Sequence, residues 1–528
     1  MGLGSRGRDR RWLLVGCLAG FAACGGSPSS TEDPAAKEAE PIRCEDLRDL
    51  DLPDTTITVV ETVAAGAFVL PEPPTLIYGE SPPTYDHLPA FCRVGATIFP
   101  VPDSEIRFEV WMPARGWNGK FVGTGNGGMS GEIWYWDLSE PLARGYAVAN
   151  TDTGHRGDVS DMSFAIGHPE KLIDNAWRGV HEMTVKSKAV VAAHYGRPPQ
   201  FSYWTGCSTG GRQGLVEAQR FPSDYDAISA GAPANHWIPL MVRNVQAQLV
   251  MADPAGALAP TKLRLLTEAA LAACDGIDDV IDHVVEQPSA CSWDPALLQC
   301  EGTDSAECLT AREVKAAQQI YGGVVSSQNG SQLYPGPEAG SESQWLAFQP
   351  GSFPIGENYF RDLVARDPNW DLSAFDADTD IARARALETA GFAATDPDLT
   401  DFVARDGKLL LWHGWTDGLI PAEASIWYYE DVRATMGAEA DNSVRLFMAP
   451  GVNHCVGGEG PFLFDHLAIL EEWVERGSAP ARIIASRPLE DGSLRTRPLC
   501  PYPQVAQYTG DGSTDDAANF ECRAPNDT

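Results

Sequence analysis

The sequence predicts an α/β fold in which a mostly parallel sheet with crossover helices is interrupted by a large inserted lid domain. From about residue 107, apolar strand-like runs alternate with helix-like runs, as crossover connections require. A Gly-x-Ser-x-Gly segment at residues 206–210 stands between such a strand and such a helix. Between residues 237 and 400 the periodicity weakens while Pro, Gly, Asp, Trp and four cysteines accumulate, which is typical of an insertion.

Composition and charge narrow the class of protein. With 528 residues, 43% hydrophobic and 9% aromatic, the chain is long and apolar enough to bury more than one core, so a disordered protein is excluded. The formal net charge is −34 and no basic patch stands out. Because a phosphate backbone is bound by clustered Lys and Arg, we expect no nucleic-acid partner.

The N-terminus predicts export. Four arginines between residues 6 and 11 precede the apolar run 12–23, which is too short to span a membrane, so residues 1–23 are predicted to be a signal peptide. The segment 21–25 resembles a bacterial lipoprotein signal in which Cys24 is lipidated; a plain cleaved signal, with no role for Cys24, is the alternative. Residues 24–43 are rich in Ser, Pro, Ala and Glu and predict a flexible tether, with a possible lipid anchor to the membrane.

The cysteines predict disulfides. Of the 12 cysteines, Cys17 and Cys24 lie in the signal region, which leaves an even number for an oxidising compartment. Three pairs are close in sequence: Cys274 with Cys291, Cys300 with Cys308, and Cys500 with Cys522. Cys44 and Cys92 flank the start of the mature domain. Cys207 and Cys455 are far apart in the sequence.

The elements follow in order along the chain. Strands are predicted at 107–112, 119–124 and 146–152, a crossover helix at 175–195, a strand at 201–205 and a helix at 210–220. Further strands are predicted at 408–412 and 444–448, followed by a helix at 464–476. The predicted domains are therefore a first core part (44–236), the lid (237–400) and a second core part (401–528).

Ser208 is the predicted nucleophile, and its context predicts an α/β-hydrolase fold. It lies on a sharp strand-to-helix turn, which lifts the hydroxyl clear of the sheet, and the flanking glycines avoid a clash. The N–H of Thr209, at the helix start, is expected to point toward the oxyanion that develops on the substrate. A purely structural turn is the alternative.

His454 is the predicted base. In this fold the triad follows the chain order Ser, acid, His, so the histidines that qualify are His236, His283, His413, His454 and His466. His454 is followed by Cys455, as Ser208 is preceded by Cys207. A disulfide holds its two Cα atoms about 4.4–6.8 Å apart, so a Cys207–Cys455 bridge would place Ser208 beside His454. Two free thiols, or a surface histidine in a Gly-rich loop, are the alternatives.

Asp417 is the predicted acid, because it lies on the loop after the strand at 408–412 and before His454. Asp401 and Asp406 precede that strand and are less well placed, and His413 is interpreted as a structural residue at the strand end. The loop 123–128, rich in glycine, follows an early strand and is expected to supply a second oxyanion donor. It lacks the Lys and the following helix of a phosphate-binding loop.

These residues resemble the tannase and feruloyl esterase family of α/β-hydrolases. The likeness runs from Cys44 to Cys522 and is most specific in the segments 203–213, 413–417, 453–455 and 495–503. The resemblance implies that the cysteine beside the serine and the cysteine beside the histidine are bridged. It also implies that the backbone of Thr209 and of Gly128 forms the oxyanion hole.

The resemblance further implies a structural calcium ion in the lid. Asp275, Asp278 and Asp282 form a carboxylate cluster suited to Ca²⁺, a hard cation with oxygen ligands, and the family pattern adds the carbonyl oxygens of Val280 and Val284. Asp279 and His283 occupy positions where the family usually has Gly, which tolerates φ > 0 better. A solvated acidic loop is the alternative.

The sequence therefore predicts a serine esterase that hydrolyses carboxylic esters. By resemblance, the acid is aromatic: a gallate, a hydroxycinnamate or a terephthalate. Lid aromatics are expected to pack in the core or to wall the substrate pocket; they are Trp345, Phe348, Phe353, Tyr359, Phe360 and Trp370. A peptidase or transferase using the same triad, and a surface-tethered binding module without catalysis, are the alternatives. No protein partner is predicted.

Overall fold

The computed structural model describes residues 40–71, 73, 84–326, 328–388 and 390–525. These residues cluster as one compact unit. The predicted signal peptide, Cys24 and most of the predicted tether lie outside the described residues. The last residues of that predicted tether are held on the body, because the Ile42 N–H donates to the Ala193 carbonyl (2.9 Å) and the Ile42 carbonyl contacts His194 Nδ1 (2.9 Å).

The strands and helices have the following bounds. The strands are β1 (Thr55–Val63), β2 (Phe91–Ile98), β3 (Ile106–Pro113), β4 (Lys120–Thr124), β5 (Ala147–Thr151), β6 (Phe201–Cys207), β7 (Ala227–Gly231), β8 (Val324–Val325), β9 (Gln332–Tyr334), β10 (Lys408–Gly414), β11 (Val444–Ala449), β12 (Ile483–Pro488), β13 (Leu494–Leu499), β14 (Val505–Tyr508) and β15 (Phe520–Arg523). The helices are α1 (Tyr135–Ala143), α2 (Pro169–Ile173), α3 (Gly179–Tyr195), α4 (Thr209–Arg220), α5 (Trp237–Ala252), α6 (Pro260–Cys274), α7 (Ala311–Tyr321), α8 (Ile355–Asn358), α9 (Ala377–Leu387), α10 (Thr400–Ala404), α11 (Glu423–Met436) and α12 (His466–Arg476).

A nine-stranded mixed sheet forms the centre of the body, in the order β1-β2-β3-β5-β4-β6-β7-β10-β11. The three strands at one edge run antiparallel, and the strands from β5 to β11 run parallel. Every residue of β5, β7 and β10 is buried, as expected for strands covered by helices on both faces. The predicted α/β-hydrolase fold is confirmed by this architecture.

The predicted elements recur with small shifts at their ends. The crossover helix begins as a π-helical turn over Asp174–Arg178 and continues as α3, which ends at Gly196 in the left-handed conformation (φ 73°). Helix α12 is capped at its N-terminus by Asp465, whose side chain accepts the Ala468 N–H (2.9 Å). The sequence analysis did not predict β1, β2, β7 or the C-terminal hairpins.

The inserted segment between β7 and α10 contains the helices α5 to α9 and the hairpin β8–β9. Two clusters of buried side chains hold it together, one around α5, α8 and α9 and the other around α5, α6 and α7. Most of the lid aromatics named above belong to these clusters. Core packing is therefore their main role.

The structure contains disulfides at the predicted pairs. Their Cα–Cα distances are 5.6 Å for Cys44–Cys92, 6.0 Å for Cys207–Cys455, 5.4 Å for Cys274–Cys291, 5.0 Å for Cys300–Cys308 and 5.5 Å for Cys500–Cys522. The Cys207–Cys455 bridge spans 248 residues of sequence and joins the end of β6 to the loop after β11. Within the described part of the chain, no helix is long and apolar enough to cross a membrane.

Candidate active site

Ser208 lies between β6 and α4 with a backbone conformation that few L-residues adopt (φ 62°, ψ −122°). Its N–H donates to the Gly231 carbonyl (2.9 Å) and its own carbonyl accepts the Arg212 N–H (3.1 Å), so the turn is fixed on both sides. A Cβ on Gly206 would come within 2.6 Å of Gly210 backbone atoms. The turn therefore requires glycine at position 206, and it presents Ser208 at the carboxyl end of the parallel strands.

His454 and Asp417 meet at the same end of the sheet. Asp417 follows β10 and His454 follows β11, and His454 Nδ1 lies 2.6 Å from Asp417 Oδ2. Both side chains are buried. The bridge from Cys207 to Cys455 ties the turn that carries Ser208 to the loop that carries His454. The hydrogen bonds of the described residues do not include one between Ser208 Oγ and His454 Nε2, a contact that is often long in ligand-free enzymes.

The surroundings of Asp417 keep it ionised. Its Oδ1 accepts the N–H groups of Leu419 and Ile420, each at 2.8 Å, and its Oδ2 also contacts His413 Nε2 (3.2 Å). Burial alone would raise the pKa of Asp417, but the two histidines and these hydrogen bonds hold that pKa well below its usual range. Asp417 is therefore a fixed negative charge beside the His454 imidazole.

His413 is fully buried at the end of β10, as the sequence analysis interpreted it. Its Nδ1 lies 2.7 Å from Ser425 Oγ, and its Nε2 lies 3.0 Å from the Ile420 carbonyl. His413 and His454 thus contact the same oxygen of Asp417. Its spacing, four residues before Asp417, was visible in the sequence, but the contact was not predicted.

Thr209 and Gly128, the two candidate oxyanion residues, line the same cavity as Ser208. Thr209 is the first residue of α4, so its N–H has no acceptor within the helix. Its hydroxyl donates to the Gly128 carbonyl (2.7 Å), which fixes the loop after β4 against α4. That approach is close: a Cβ on Gly125 would come 2.4 Å from Gly210 Cα, and Gly128 has φ 52°.

The cavity has a volume of about 1260 Å³ and is lined mainly by apolar and aromatic side chains. Of the lid aromatics named from the sequence, Phe353 lines it. The other aromatic side chains in its wall come from the body and from α5: Trp134, Trp136, Trp237, Trp412, Phe462 and Phe464. The sequence carried no signal for these, since they come from separate stretches of the chain.

Comparisons with known proteins agree with this geometry. The family model described as tannase and feruloyl esterase matches residues 92–523. The chain belongs to the tannase and feruloyl esterase family. Members of this family are carboxylic ester hydrolases, and the chain is accordingly an ester hydrolase of the tannase and feruloyl esterase type.

Individual relatives of this family extend over most of the chain. It is 38% identical to an uncharacterized esterase of Xanthomonas campestris, covering 91% of each protein, and 34% identical to the mono(2-hydroxyethyl) terephthalate hydrolase of Piscinibacter sakaiensis, covering 83% of this chain and 85% of that one. The crystal structure of feruloyl esterase B from Aspergillus oryzae superposes with a TM-score of 0.84 at 29% identity, covering 91% of this chain and 99% of that one.

The predicted calcium loop of this family is folded around its acidic residues. Asp275 and Asp282 are buried and Asp278 is half-buried. The Asp275 carboxylate accepts the N–H groups of Asp282 (3.2 Å) and His283 (2.9 Å). Asp279 and His283 both have φ 66°, so the loop adopts the left-handed conformation at the two positions where glycine was expected.

The acidic loop has the oxygen donors that a calcium ion requires. Burial, and after it the neighbouring Asp282 carboxylate, raises the pKa of Asp278 to about 6. Arg497 from β13 contacts the Asp282 carboxylate. Within the described residues no donor is directed at the carbonyl oxygens of Val280 and Val284. Three carboxylates and two free carbonyl groups are oxygen ligands of the kind that Ca²⁺ takes.

Proposed function

We propose that this protein is an exported serine esterase that hydrolyses carboxylic esters of aromatic acids through an acyl-enzyme on Ser208. One observation carries the proposal: the disulfide between Cys207 and Cys455 holds the nucleophile turn against the loop of His454, whose Nδ1 lies on the buried Asp417 carboxylate. The candidate nucleophile and base thus both line one cavity, and the candidate acid is buried behind the base.

In the proposed reaction, Ser208 Oγ attacks the ester carbonyl while His454 Nε2 accepts its proton. Asp417 orients the imidazole and stabilises the imidazolium. The tetrahedral intermediate collapses as His454 returns the proton to the departing alcohol, which leaves the acyl group on Ser208. A water molecule, deprotonated by His454, then attacks the acyl-enzyme and releases the carboxylic acid.

The oxyanion of both tetrahedral intermediates is proposed to bind the N–H groups of Thr209 and Gly128. A removed oxyanion donor typically costs about 10²–10³ in kcat. The Thr209 hydroxyl supports this site indirectly, because its bond to the Gly128 carbonyl holds the neighbouring peptide in place.

The proposal of an aromatic acid is supported by the aromatic cavity wall and by two relatives. Their names, feruloyl esterase B and mono(2-hydroxyethyl) terephthalate hydrolase, specify esters of aromatic acids. The cavity exceeds the volume of a single feruloyl or terephthaloyl group, which leaves room for the alcohol part of the ester.

Export is proposed from the signal-like N-terminus, which includes Cys24 as a site of lipid attachment, and is supported by the disulfides. Calcium is proposed as a structural ion held by Asp275, Asp278 and Asp282 and by the carbonyl oxygens of Val280 and Val284. The ion would supply charge neutralisation to the acidic loop and would take no part in the triad. No catalytic step passes through it.

The experiment is ester hydrolysis by the parent protein and by Ser208→Ala, with p-nitrophenyl acetate, methyl gallate, methyl ferulate and mono(2-hydroxyethyl) terephthalate as substrates. We expect activity on at least one aromatic ester in the parent and none above background in Ser208→Ala. Equal activity in the two proteins would refute the nucleophile assignment. Binding of aromatic esters without turnover in the parent would favour the non-catalytic module.

A further inference from the structure

The loop that carries Asp417 lies beneath the lid, and two lid side chains reach it. Arg243 comes from α5, and Gln344 comes from a 3₁₀ helix over Glu342–Phe348. The approach is close, since a Cβ on Gly418 would come 2.8 Å from Gln344 Cβ. The lid therefore packs directly on the acid loop.

Arg243 binds the peptide groups that themselves bind Asp417. Its Nη2 donates to the Gly418 carbonyl (2.7 Å) and its Nη1 to the Leu419 carbonyl (3.2 Å). The N–H groups of the same two peptide units donate to Asp417 Oδ1. In each of these two peptide units, the carbonyl oxygen accepts a hydrogen bond from the Arg243 guanidinium and the N–H donates one to the Asp417 carboxylate. Hydrogen bonds arranged in such chains polarise and strengthen one another.

The position of Arg243 is costly to the fold. The residue is 2% exposed, its Nε has no partner, and its guanidinium lies over the Phe348 ring at 4.5 Å. Burial lowers the pKa of Arg243 to about 10, although Tyr334 and Asp417 act in the opposite direction. Within the described residues, its hydrogen bonds go to carbonyl groups of the acid loop rather than to a carboxylate. A buried cation with this set of partners is better suited to fixing that loop than to stabilising the lid.

Gln344 connects the acid loop to the base. Its Oε1 accepts a hydrogen bond from the backbone N–H of His454 (3.1 Å), and its Nε2 donates to the backbone carbonyl of Thr416. Because one partner is a donor and the other an acceptor, only this orientation of the amide satisfies both. Gln344 also lines the cavity, together with Ser208 and His454.

We propose that Arg243 and Gln344 are positioning residues, through which the closed lid fixes Asp417 and His454 in their reactive arrangement. The inference rests on the proposed triad and adds to the lid a role beyond forming a pocket wall. A displacement of about 1 Å in a reacting group costs roughly 10²-fold in rate. We therefore expect variants of either residue to lower kcat rather than to raise KM alone.

The first test compares Gln344→Met and Gln344→Glu with the parent on p-nitrophenyl acetate, whose acyl group is too small to need the lid, and on methyl ferulate. Gln344→Met is expected to lower kcat about tenfold or more on both esters, with the KM for the acetate within twofold of the parent. Gln344→Glu keeps an acceptor for the His454 N–H but loses the donor to Thr416, so it should retain part of the activity. Gln349→Met, a lid variant outside the cavity, is the matched control.

A second test reads the geometry without turnover. The low-field proton resonance of the His454–Asp417 hydrogen bond is expected in the parent and in Gln349→Met, and should be shifted or lost in Gln344→Met and Arg243→Met. Arg243→Lys should restore less than the parental rate, because one ammonium cannot match the two-pronged contact. Arg264→Met, at an exposed lid arginine, controls for loss of charge. Thermal unfolding separates these effects from a failure to fold.

Two outcomes overturn the inference. One is an unchanged kcat for both esters with a raised KM for methyl ferulate alone, which assigns Gln344 to substrate binding. The other is an unchanged low-field resonance in folded Gln344→Met. Ser208→Ala distinguishes these from failure of the proposed function, because only the latter leaves Ser208→Ala active.

Discussion

At the scale of single residues, the site depends on ionisable groups held in fixed charge states. Asp417 is fully buried and stays anionic because four hydrogen bonds and the adjacent imidazoles compensate its burial. Its pKa in the folded state lies below that of the unfolded chain. The carboxylate therefore stabilises the fold at neutral pH, and this contribution is lost as the pH falls below about 4.

Asp417→Asn should lower kcat by about 10³–10⁴, because an amide in place of a triad carboxylate neither stabilises the imidazolium nor fixes its tautomer. Steady-state kinetics on the best ester substrate measures the effect. Asp401→Asn, at the exposed aspartate that precedes β10, is the control and should keep parental kcat. A loss in Asp417→Asn smaller than tenfold would argue against the acid assignment.

His155 gives a prediction about pH and stability. It is buried beside the loop after β4, stacks on the Phe164 ring at 3.6 Å, and its Nε2 contacts the Met129 carbonyl (2.8 Å). Burial lowers the pKa of His155 from 6.5 to about 4, so between these values the unfolded chain takes up a proton that the folded chain does not. Stability should therefore fall as the pH drops from about 6.5 to 4, by about 3 kcal/mol from this residue.

The measurement is the free energy of unfolding in urea at several pH values for the parent and for His155→Gln, whose side chain does not titrate. The loss of stability between pH 7 and 4.5 should be smaller in the variant by roughly 2–3 kcal/mol. Identical pH dependence in both proteins would show that His155 does not carry this effect.

At the scale of elements, the proposed catalysis depends on three loops that the sheet places side by side, two of which a disulfide joins. The parallel strands β6, β10 and β11 bring the loops of Ser208, Asp417 and His454 to the carboxyl end of the sheet. The glycine at position 125 lets the loop after β4 approach α4 closely, as the proposed oxyanion site requires. The strands decide which loops are neighbours, and the bridge between Cys207 and Cys455 decides how tightly two of them are held.

Replacing both Cys207 and Cys455 by Ala should lower kcat by about 10²-fold, because the loop of His454 gains freedom relative to Ser208. Kinetics on p-nitrophenyl acetate measures the loss. The pair Cys300→Ala with Cys308→Ala, which opens a bridge in an exposed lid loop, is the control and should affect stability more than kcat. Mass mapping that found Cys207 and Cys455 as free thiols in the oxidised protein would contradict the assignment.

At the scale of the whole molecule, polar side chains join the lid to the body. Arg243 and Gln344 of the lid bind the loop that carries Asp417. Arg495 and Arg497, on β13 of the body, bind Asp282 of the predicted calcium loop. The acidic loop thus connects lid and C-terminus, and a bound cation would strengthen that junction.

Removal of calcium with a chelator should lower the Tm of the parent, and added Ca²⁺ should restore it, because an ion bound only by the folded state stabilises it. Metal content measured after dialysis should be about one Ca²⁺ per chain. Asp278→Asn should have a lowered Tm that no longer responds to Ca²⁺. If chelation changes neither the Tm nor the metal content, the loop is a solvated acidic loop.

The sequence by itself determined the fold class, the predicted positions of nucleophile, acid and base, and the disulfide pairs, because each of these has a local signature. Ser208 stands in a glycine-flanked strand-to-helix turn, and Asp417 and His454 each follow a strand. Ser208 and His454 each have a neighbouring cysteine, Cys207 and Cys455. A disulfide between these two cysteines was therefore the long-range contact that the sequence predicted. The strands at the antiparallel edge were missed, because half-exposed strands such as β1 alternate less regularly.

Only the tertiary structure decided what surrounds the triad. Arg243 and Gln344 lie far from Asp417 in sequence and belong to no motif, and their contacts are to backbone atoms, which leave no trace in residue identity. The same holds for Trp134, Trp237 and Phe464 in the cavity wall. Local chemistry determines which residues are candidates for the reaction, whereas the packing of the inserted segment determines which side chains surround them.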